Sequence, residues 1–509
     1  MTGRRHAFTL GDVVRENART YPGVEALTCG DVRVTFDALE GRVNRTAAFL
    51  RSRGVEPGDR VGWYGPSCHR AVELLLACAK CAAVFAPLNW RQSPGEIDWA
   101  LEVVAPRLVV VWPAFGASPE ALVGAGGVPP GIADMATADV VTVDAAYDDE
   151  VAAAPPDDVC LDEDDDVPVL ELFTAAFSGR PRGALLTQRG IVTQDVVFLA
   201  TGQVQGFGEV YLASGPMFHI GVLLKLFANL HAGGRSVIVP RVDAGEVCRT
   251  IDREGCTSAF VFTPTIGEMV AVARRDGLDL SSLRTVPGRP PDDVADDWYA
   301  MTGCRPPLGA GVTGYGQTET LGMVTYEDLP PPGTGVFGRP SPLVALRVVD
   351  ETRREVPVGE VGELAVRGPQ LMARYHDETV GTDGWHYTND LGRRERDGTV
   401  SFVGPKLDLI KTGMENVYPA EVEQVLREHP VVADACVIGV PDAVWGQSVR
   451  AVVEPVDGAA VDPDELTAFV RSRIAGYKKP KTVIVAILPR RGPFVDRDEV
   501  KGRWGGEGP

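Results

Sequence analysis

Thr313-Gly314-Tyr315-Gly316-Gln317-Thr318-Glu319 brings two glycines, two threonine hydroxyls and a carboxylate into one short segment. Taken alone it is a polar turn. Beside a cavity it suits a nucleotide and its Mg²⁺, because Mg²⁺ takes hard oxygen ligands and needs few protein carboxylates when phosphates are present. Further along, Gly384-Trp385-His386-Tyr387-Thr388-Asn389-Asp390-Leu391-Gly392 precedes Asp397-Gly398. As plain structure it is a hairpin. As a site it offers Asp390 to ribose hydroxyls. A third segment runs Ile410-Lys411-Thr412-Gly413-Met414-Glu415-Asn416-Val417-Tyr418-Pro419-Ala420-Glu421-Val422-Glu423.

On the N-terminal side of these segments the chain alternates helix and strand patterns. Thr35 to Arg53 has apolar residues at helical spacing (Leu39, Val43, Ala47, Leu50), with Thr35 in the N-cap position. Arg60 to Tyr64 reads as a short strand, Ser67 to Val84 as an apolar helix, and Leu108 to Trp112 as a strand covered on both faces. Val167 to Phe173, Ser236 to Pro240 and Ala259 to Phe262 are further buried strands, and Gly359 to Val366 alternates like an antiparallel one. Repeated βα units predict an α/β fold with mostly parallel sheets flanked by helices. After Gly404 the pattern restarts as helix Pro419 to Glu428, strand Ala433 to Gly439, helix Pro463 to Ile474 and strand Thr482 to Leu488. That is the expectation for a small α+β domain of about 100 residues.

Composition narrows the function classes. The 509 residues carry 50 Lys plus Arg against 70 Asp plus Glu, a net charge of -20. Such a chain repels phosphate backbones, which argues against sequence-independent nucleic-acid binding. No apolar run approaches the roughly 20 residues needed to cross a bilayer, and no apolar segment follows the basic N-terminus as a secretory signal would require. Nine cysteines, an odd and sparse number, predict a reducing compartment such as the cytoplasm. Cys78 and Cys81 form a lone pair inside an apolar helix and read as ordinary buried thiols. Asp162 to Asp166 reads as a solvated linker.

The order and spacing of the three segments resemble the adenylate-forming superfamily of acyl- and aryl-CoA synthetases, peptide-synthetase adenylation domains and luciferases. Asn89-Trp90-Arg91 with Pro94, Pro216-Met217-Phe218-His219-Ile220-Gly221, Pro264-Thr265, Gly439-Val440-Pro441-Asp442 with Trp445-Gly446, and Tyr477-Lys478-Lys479-Pro480 also match its motifs. The similarity spans about residues 8 to 500. It implies a large N-terminal domain (1–403), a hinge (404–408) and a small mobile C-terminal domain (409–509). It also implies coupling of a carboxylic acid to ATP as an acyl-adenylate, followed by attack of a thiol or amine. On that resemblance Glu319 holds Mg²⁺, Thr318 and Thr174 touch phosphates, and Asp390 meets the ribose. Ser178, Gly179, Arg182, Tyr315, Gly316 and Lys411 complete the ATP/AMP site. Phe218, His219, Gly288 and Gly314 line the acid pocket, and Arg289 there either meets an anionic substrate or is a surface residue. CoA, or the phosphopantetheine of an acyl carrier protein, would accept the acyl group.

The chain also departs from the family pattern. Its phosphate loop reads Phe173-Thr174-Ala175-Ala176-Phe177-Ser178-Gly179-Arg180-Pro181-Arg182-Gly183, with hydroxyls lost at Ala175 and Phe177 and the usual lysine replaced by Arg182. The swap suits a chain with eight lysines against 42 arginines, although the two are not equivalent phosphate binders. The hinge arginine is Pro405, the polar hinge residue is Leu407, a glycine has become Met414, and Asn389 stands where the family has glycine. Val495 occupies the position of the catalytic lysine, leaving Lys501 as the candidate substitute. Losing one well-placed charge-stabilising donor costs about 10²–10³ in rate. Three readings are therefore weighed. One is an acid-activating ligase with weakened or non-standard adenylation. The second is a scaffold that has lost adenylation and performs acyl transfer or condensation on a ready-made thioester. The third is a non-catalytic pseudo-ligase that binds a partner or carrier protein.

Overall fold

The computed structural model describes residues 9–112, 132, 138–158, 165–174, 181–304, 314–326, 338–376, 383–406, 409–413, 415–491 and 494–506. The fold is α/β with mixed sheets and a separate C-terminal domain. A seven-stranded sheet is built on a parallel core in the order Pro168–Phe173, Val84–Pro87, Arg60–Tyr64, Leu108–Val111, Asp139–Thr142. Two antiparallel strands, Gly183–Thr187 and Arg374–Tyr375, extend its other edge. A five-stranded sheet places Glu25–Cys29, Arg235–Ile238, Val210–Ala213 and Ser258–Ala259 in parallel, with Val32–Thr35 antiparallel at the margin.

The two sheets share one core. The helix His69–Lys80 is buried along almost its whole surface, which explains its near-continuous apolar sequence: it packs on both sides instead of presenting one stripe. It is shorter than the Ser67 to Val84 expected, because Ala82 takes a positive φ of 53° and turns the chain into the strand Val84–Pro87. Cys78 and Cys81 are buried free thiols, as expected. Thr35 occupies the N-cap of Phe36–Ser52 but makes no side-chain capping bond; its hydroxyl donates to Asp37 instead. The strand expected over Ala259 to Phe262 is only Ser258–Ala259, since the helix Thr263–Asp276 begins at once with Pro264 in its first turn. Proline there loses no helical hydrogen bond.

A four-stranded antiparallel sheet follows, in the order Ala345–Val349, Val361–Arg367, His386–Arg394, Val400–Pro405. Pro405 closes the edge strand, opposite Asp390, where a missing N–H does no harm. The C-terminal sheet consists of Ile410–Thr412, Glu415–Val417, Val432–Asp442, Gly446–Pro455 and Thr482–Val485, packed by the helices Pro419–Arg427, Pro463–Arg471 and Arg497–Trp504. It has its own apolar clusters, around Val437, Val449 and Leu466 on one face and Ile438, Val440 and Val452 on the other. Among the described residues no helix is long and apolar enough to cross a membrane.

Candidate active site

The strands Pro168–Phe173 and Gly183–Thr187 run antiparallel, and the loop between them is closed at its base by Thr174 N–H donating to the Arg182 carbonyl at 2.8 Å. Beside this base lies a cavity. The N-terminal part contributes Asn89, Thr174, Phe218, His219 and Thr318; the C-terminal part contributes Glu415, Tyr418 and Lys478. The site is thus made by both parts of the chain.

Glu319 is only 3% exposed. Its carboxylate accepts from the Tyr375 hydroxyl at 2.9 Å, and the Thr174 side chain acts on it as a further stabilising influence. Burial holds this carboxyl above the usual range, while its own backbone N–H, Tyr375 and Thr174 pull it back. A second network surrounds Asp390. Its Oδ2 accepts from Tyr315 Oη and from Gln317 Nε2, each at 2.7 Å, and its backbone N–H donates to Thr388 Oγ1 at 3.2 Å. Burial raises this carboxyl too, against the two hydrogen bonds and the nearby Lys411 charge. Tyr315 is pinned further by a stacked Phe402, 6.0 Å between centroids.

The glycines of the first segment serve the backbone. A Cβ on Gly314 would lie 1.9 Å from the Thr325 carbonyl oxygen, and one on Gly316 1.9 Å from that of Gly322. Only glycine permits so close a return of the chain. Gly288 likewise abuts the Phe262 backbone, with 2.6 Å from a built Cβ to Cα. Asn389 has φ of 56°, a left-handed conformation that asparagine tolerates better than other residues with a Cβ, so its replacement of glycine preserves the turn before Asp390.

Other sequence candidates fall at varying distances from this centre. His219 lies on the cavity wall with Nε2 3.9 Å from Glu415, and burial lowers its imidazole pKa. Phe218 meets Trp90 edge-on. Lys411 Nζ sits 5.8 Å from the Phe402 ring centroid, near Asp390. Arg289 does not line the cavity and acts electrostatically on Tyr299 instead. Lys501 is carried on the helix Arg497–Trp504 and does not line the cavity either. Val495 packs against the small-domain cluster around Ile438, Val440 and Val500. Thr313, Ala175, Ala176, Phe177, Ser178, Gly179, Leu407, Asp408 and Met414 lie outside the described residues.

Three features escaped the sequence reading. Tyr375 sits in a short edge strand with no motif signal. Arg91 Nη1 reaches Glu415 across the two parts of the chain at 2.9 Å. Lys478 Nζ lies 2.6 Å from Glu96 and 2.7 Å from Glu421; its motif was visible, but its partners were not.

Glu171, three residues before Thr174, is fully buried, 3.2 Å from His376 Nδ1 and 3.6 Å from Arg60 Nε. Burial pushes its carboxyl up to about 7, with Arg60 and Arg374 opposing. Between its ordinary 4.5 and about 7 the folded protein holds a proton that the unfolded chain has released, so stability falls as pH rises through that window. Melting temperature should therefore decline over this interval, and Glu171→Gln should flatten the decline. An unchanged slope in the variant would assign the pH dependence to other groups.

Comparison with known proteins adds the family context. The family model described as AMP-binding enzyme matches residues 14–376, and the model for the AMP-binding enzyme C-terminal domain matches residues 421–492. The feruloyl-CoA synthase of an Amycolatopsis species is 35% identical over 516 residues, covering 97% of this chain and 99% of its own. The indoleacetate–CoA ligase of Aromatoleum aromaticum is 30% identical over 523 residues, covering 97% of each. In fold, the amide bond synthetase McbA of Marinactinospora thermotolerans superposes with a TM-score of 0.81 at 23% identity, over 97% of this chain and 99% of that one.

Proposed function

The chain belongs to the AMP-binding enzyme family, as an AMP-forming, acid-activating ligase of the acyl-CoA synthetase kind, and on that premise we propose that it activates an aromatic carboxylic acid with MgATP and passes the acyl group to CoA. The aromatic preference is supported by relatives named for feruloyl and indoleacetate substrates and by the Trp90–Phe218 edge beside His219. The degenerate-scaffold reading finds no support among these relatives.

The observation that carries the site assignment is that Thr174 and Thr318 line the cavity, with Glu319 next to Thr318 feeling both Thr174 and the Asp390 charge, and Asp390 held by Tyr315. In this reading Thr174, Thr318 and Arg182 bind phosphates, and Asp390 receives the ribose. Glu319 suits a Mg²⁺ ion that arrives with the nucleotide. It is a single buried carboxylate flanked by hydroxyls, and the described residues contain no cluster of three potential metal-binding side chains that would form a cage without phosphate. Bound there, Mg²⁺ would offset phosphate charge. Arg182 supplies the fixed positive charge at the loop, and the absence of a lysine at Val495 makes adenylation slow for the family. The free thiols among the described cysteines support a reducing compartment, the cytoplasm.

The test is acid-dependent ATP–pyrophosphate exchange, followed by thioester formation with CoA or with a pantetheinylated carrier protein. Hydroxycinnamates or arylacetates should support exchange above straight-chain acids, and CoA should outrun the carrier. Exchange confined to straight-chain acids would overturn the substrate assignment. Faster transfer to the carrier would overturn the acceptor.

A further inference from the structure

Five residues from Met372 to His376 tie the Glu319 segment to the strand Gly183–Thr187 at the base of the phosphate loop. Met372 N–H donates to the Glu319 carbonyl at 2.9 Å, and His376 N–H donates to the Gly183 carbonyl at 2.7 Å. Between them the strand Arg374–Tyr375 pairs with Gly183–Thr187, setting Tyr375 opposite Ala184. The Tyr375 side chain is thereby held against the base of the phosphate loop.

Two contacts of that side chain are chemically distinct. Its hydroxyl donates to Glu319 Oε1 at 2.9 Å. Its ring carries the Arg182 guanidinium, whose central carbon is 3.6 Å from the ring centroid. Thr174, at the start of the loop, helps stabilise the same Glu319 carboxylate, and its backbone N–H closes the loop onto Arg182. Thr174, Arg182, Glu319 and Tyr375 therefore form one connected unit. A planar guanidinium stacks on an aromatic face where a compact ammonium would retain its water. The replacement of lysine by Arg182 and the presence of Tyr375 belong together physically.

We propose that Tyr375 is a positioning residue for MgATP, fixing the Glu319 carboxylate with its hydroxyl and the Arg182 cation with its ring. This rests on the assignment of Glu319 to the metal and Arg182 to phosphate. The two functions of Tyr375 are separable. The hydroxyl orients the carboxylate and stabilises its charged form, so it acts only on nucleotide bound with metal. The ring orients a cation that meets phosphate with or without metal. A group that orients a metal ligand typically contributes 10- to 100-fold in metal affinity.

Calorimetry of the full chain with ATP in excess Mg²⁺, and with ATP in EDTA, distinguishes them. Tyr375→Phe should weaken MgATP binding at least about tenfold and leave metal-free ATP binding unchanged. Tyr375→Leu should weaken both. Arg182→Lys should also weaken both, and combining it with Tyr375→Leu should add little to the metal-free loss. Melting temperature of Tyr375→Phe, which loses one oxygen, reports whether the fold is intact. Wild-type protein that binds ATP equally with and without Mg²⁺ would overturn the Glu319 assignment and the proposal with it. A wild type that prefers MgATP, beside a Tyr375→Phe variant that binds it equally well, would overturn the proposal alone. Equal losses in Mg²⁺ and in EDTA for Tyr375→Phe would do the same.

Discussion

Glu319→Gln is expected to lower acid-dependent pyrophosphate exchange by about 10²-fold or more, the scale set by removing one preorganised electrostatic group from an active site. The glutamine keeps the shape of the side chain and its amide oxygen can still accept from Tyr375, so that buried contact persists and the melting temperature should move little. What disappears is the negative charge. Glu319 is held beside the phosphate loop by the Tyr375 hydroxyl and is almost fully buried. Raising Mg²⁺ should not restore the rate, because the defect lies in the ligand. Exchange within a few-fold of wild type would show that the metal is held elsewhere.

Lys478→Met is expected to be the most destabilising single change near the site. The ammonium is buried between Glu96 and Glu421, with side-chain exposures of 5%, 11% and 9% respectively. Burial disfavours the ammonium, but the two carboxylates overcome this and hold its pKa above the ordinary lysine value. Methionine leaves two carboxylates facing each other without a cation. Removing one partner of a buried pair costs about 3–5 kcal/mol. The loss should depend on pH. Burial already raises the Glu421 carboxyl and Lys478 opposes this; without Lys478, Glu421 takes up a proton more readily in the folded state than in the unfolded one, so the penalty grows as pH rises through the carboxylate range. Denaturant unfolding of wild type and variant at acidic and neutral pH checks this. The double variant Lys478→Met with Glu96→Gln should recover part of the loss. A penalty below about 1 kcal/mol, independent of pH, would mean that the triad behaves as an exposed pair.

The same triad shows how legibility varies along the chain. Glu96 forms the capping box with Ser93 in Pro94–Val104, a local contact. Its other oxygen accepts from a lysine 382 positions away, and no spacing rule reaches that far. Gly314 and Gly316 were readable as turn residues; their obligation to be glycine comes from carbonyl oxygens that a Cβ would strike. Asn389 read as a departure from the family, and its positive φ shows that the backbone requirement was kept. Val495 read as the loss of a lysine, and, partly buried, it packs against the small-domain cluster in this structure.

The amino-acid sequence by itself determined the α/β class, the small C-terminal domain and the family. Periodic burial and ordered motifs are local signals, each written in consecutive residues. Tertiary structure alone decided which side chains share a hydrogen bond. Tyr315 meets Asp390 across 75 positions and Tyr375 meets Glu319 across 56. It also decided that Arg182 stacks on Tyr375 and that Lys478, not Lys501, lines the cavity. The physical reason is that such contacts depend on where sheet edges and domain faces come to rest. That placement is set by the packing of the whole core and leaves no repeat or spacing in the segments that finally touch.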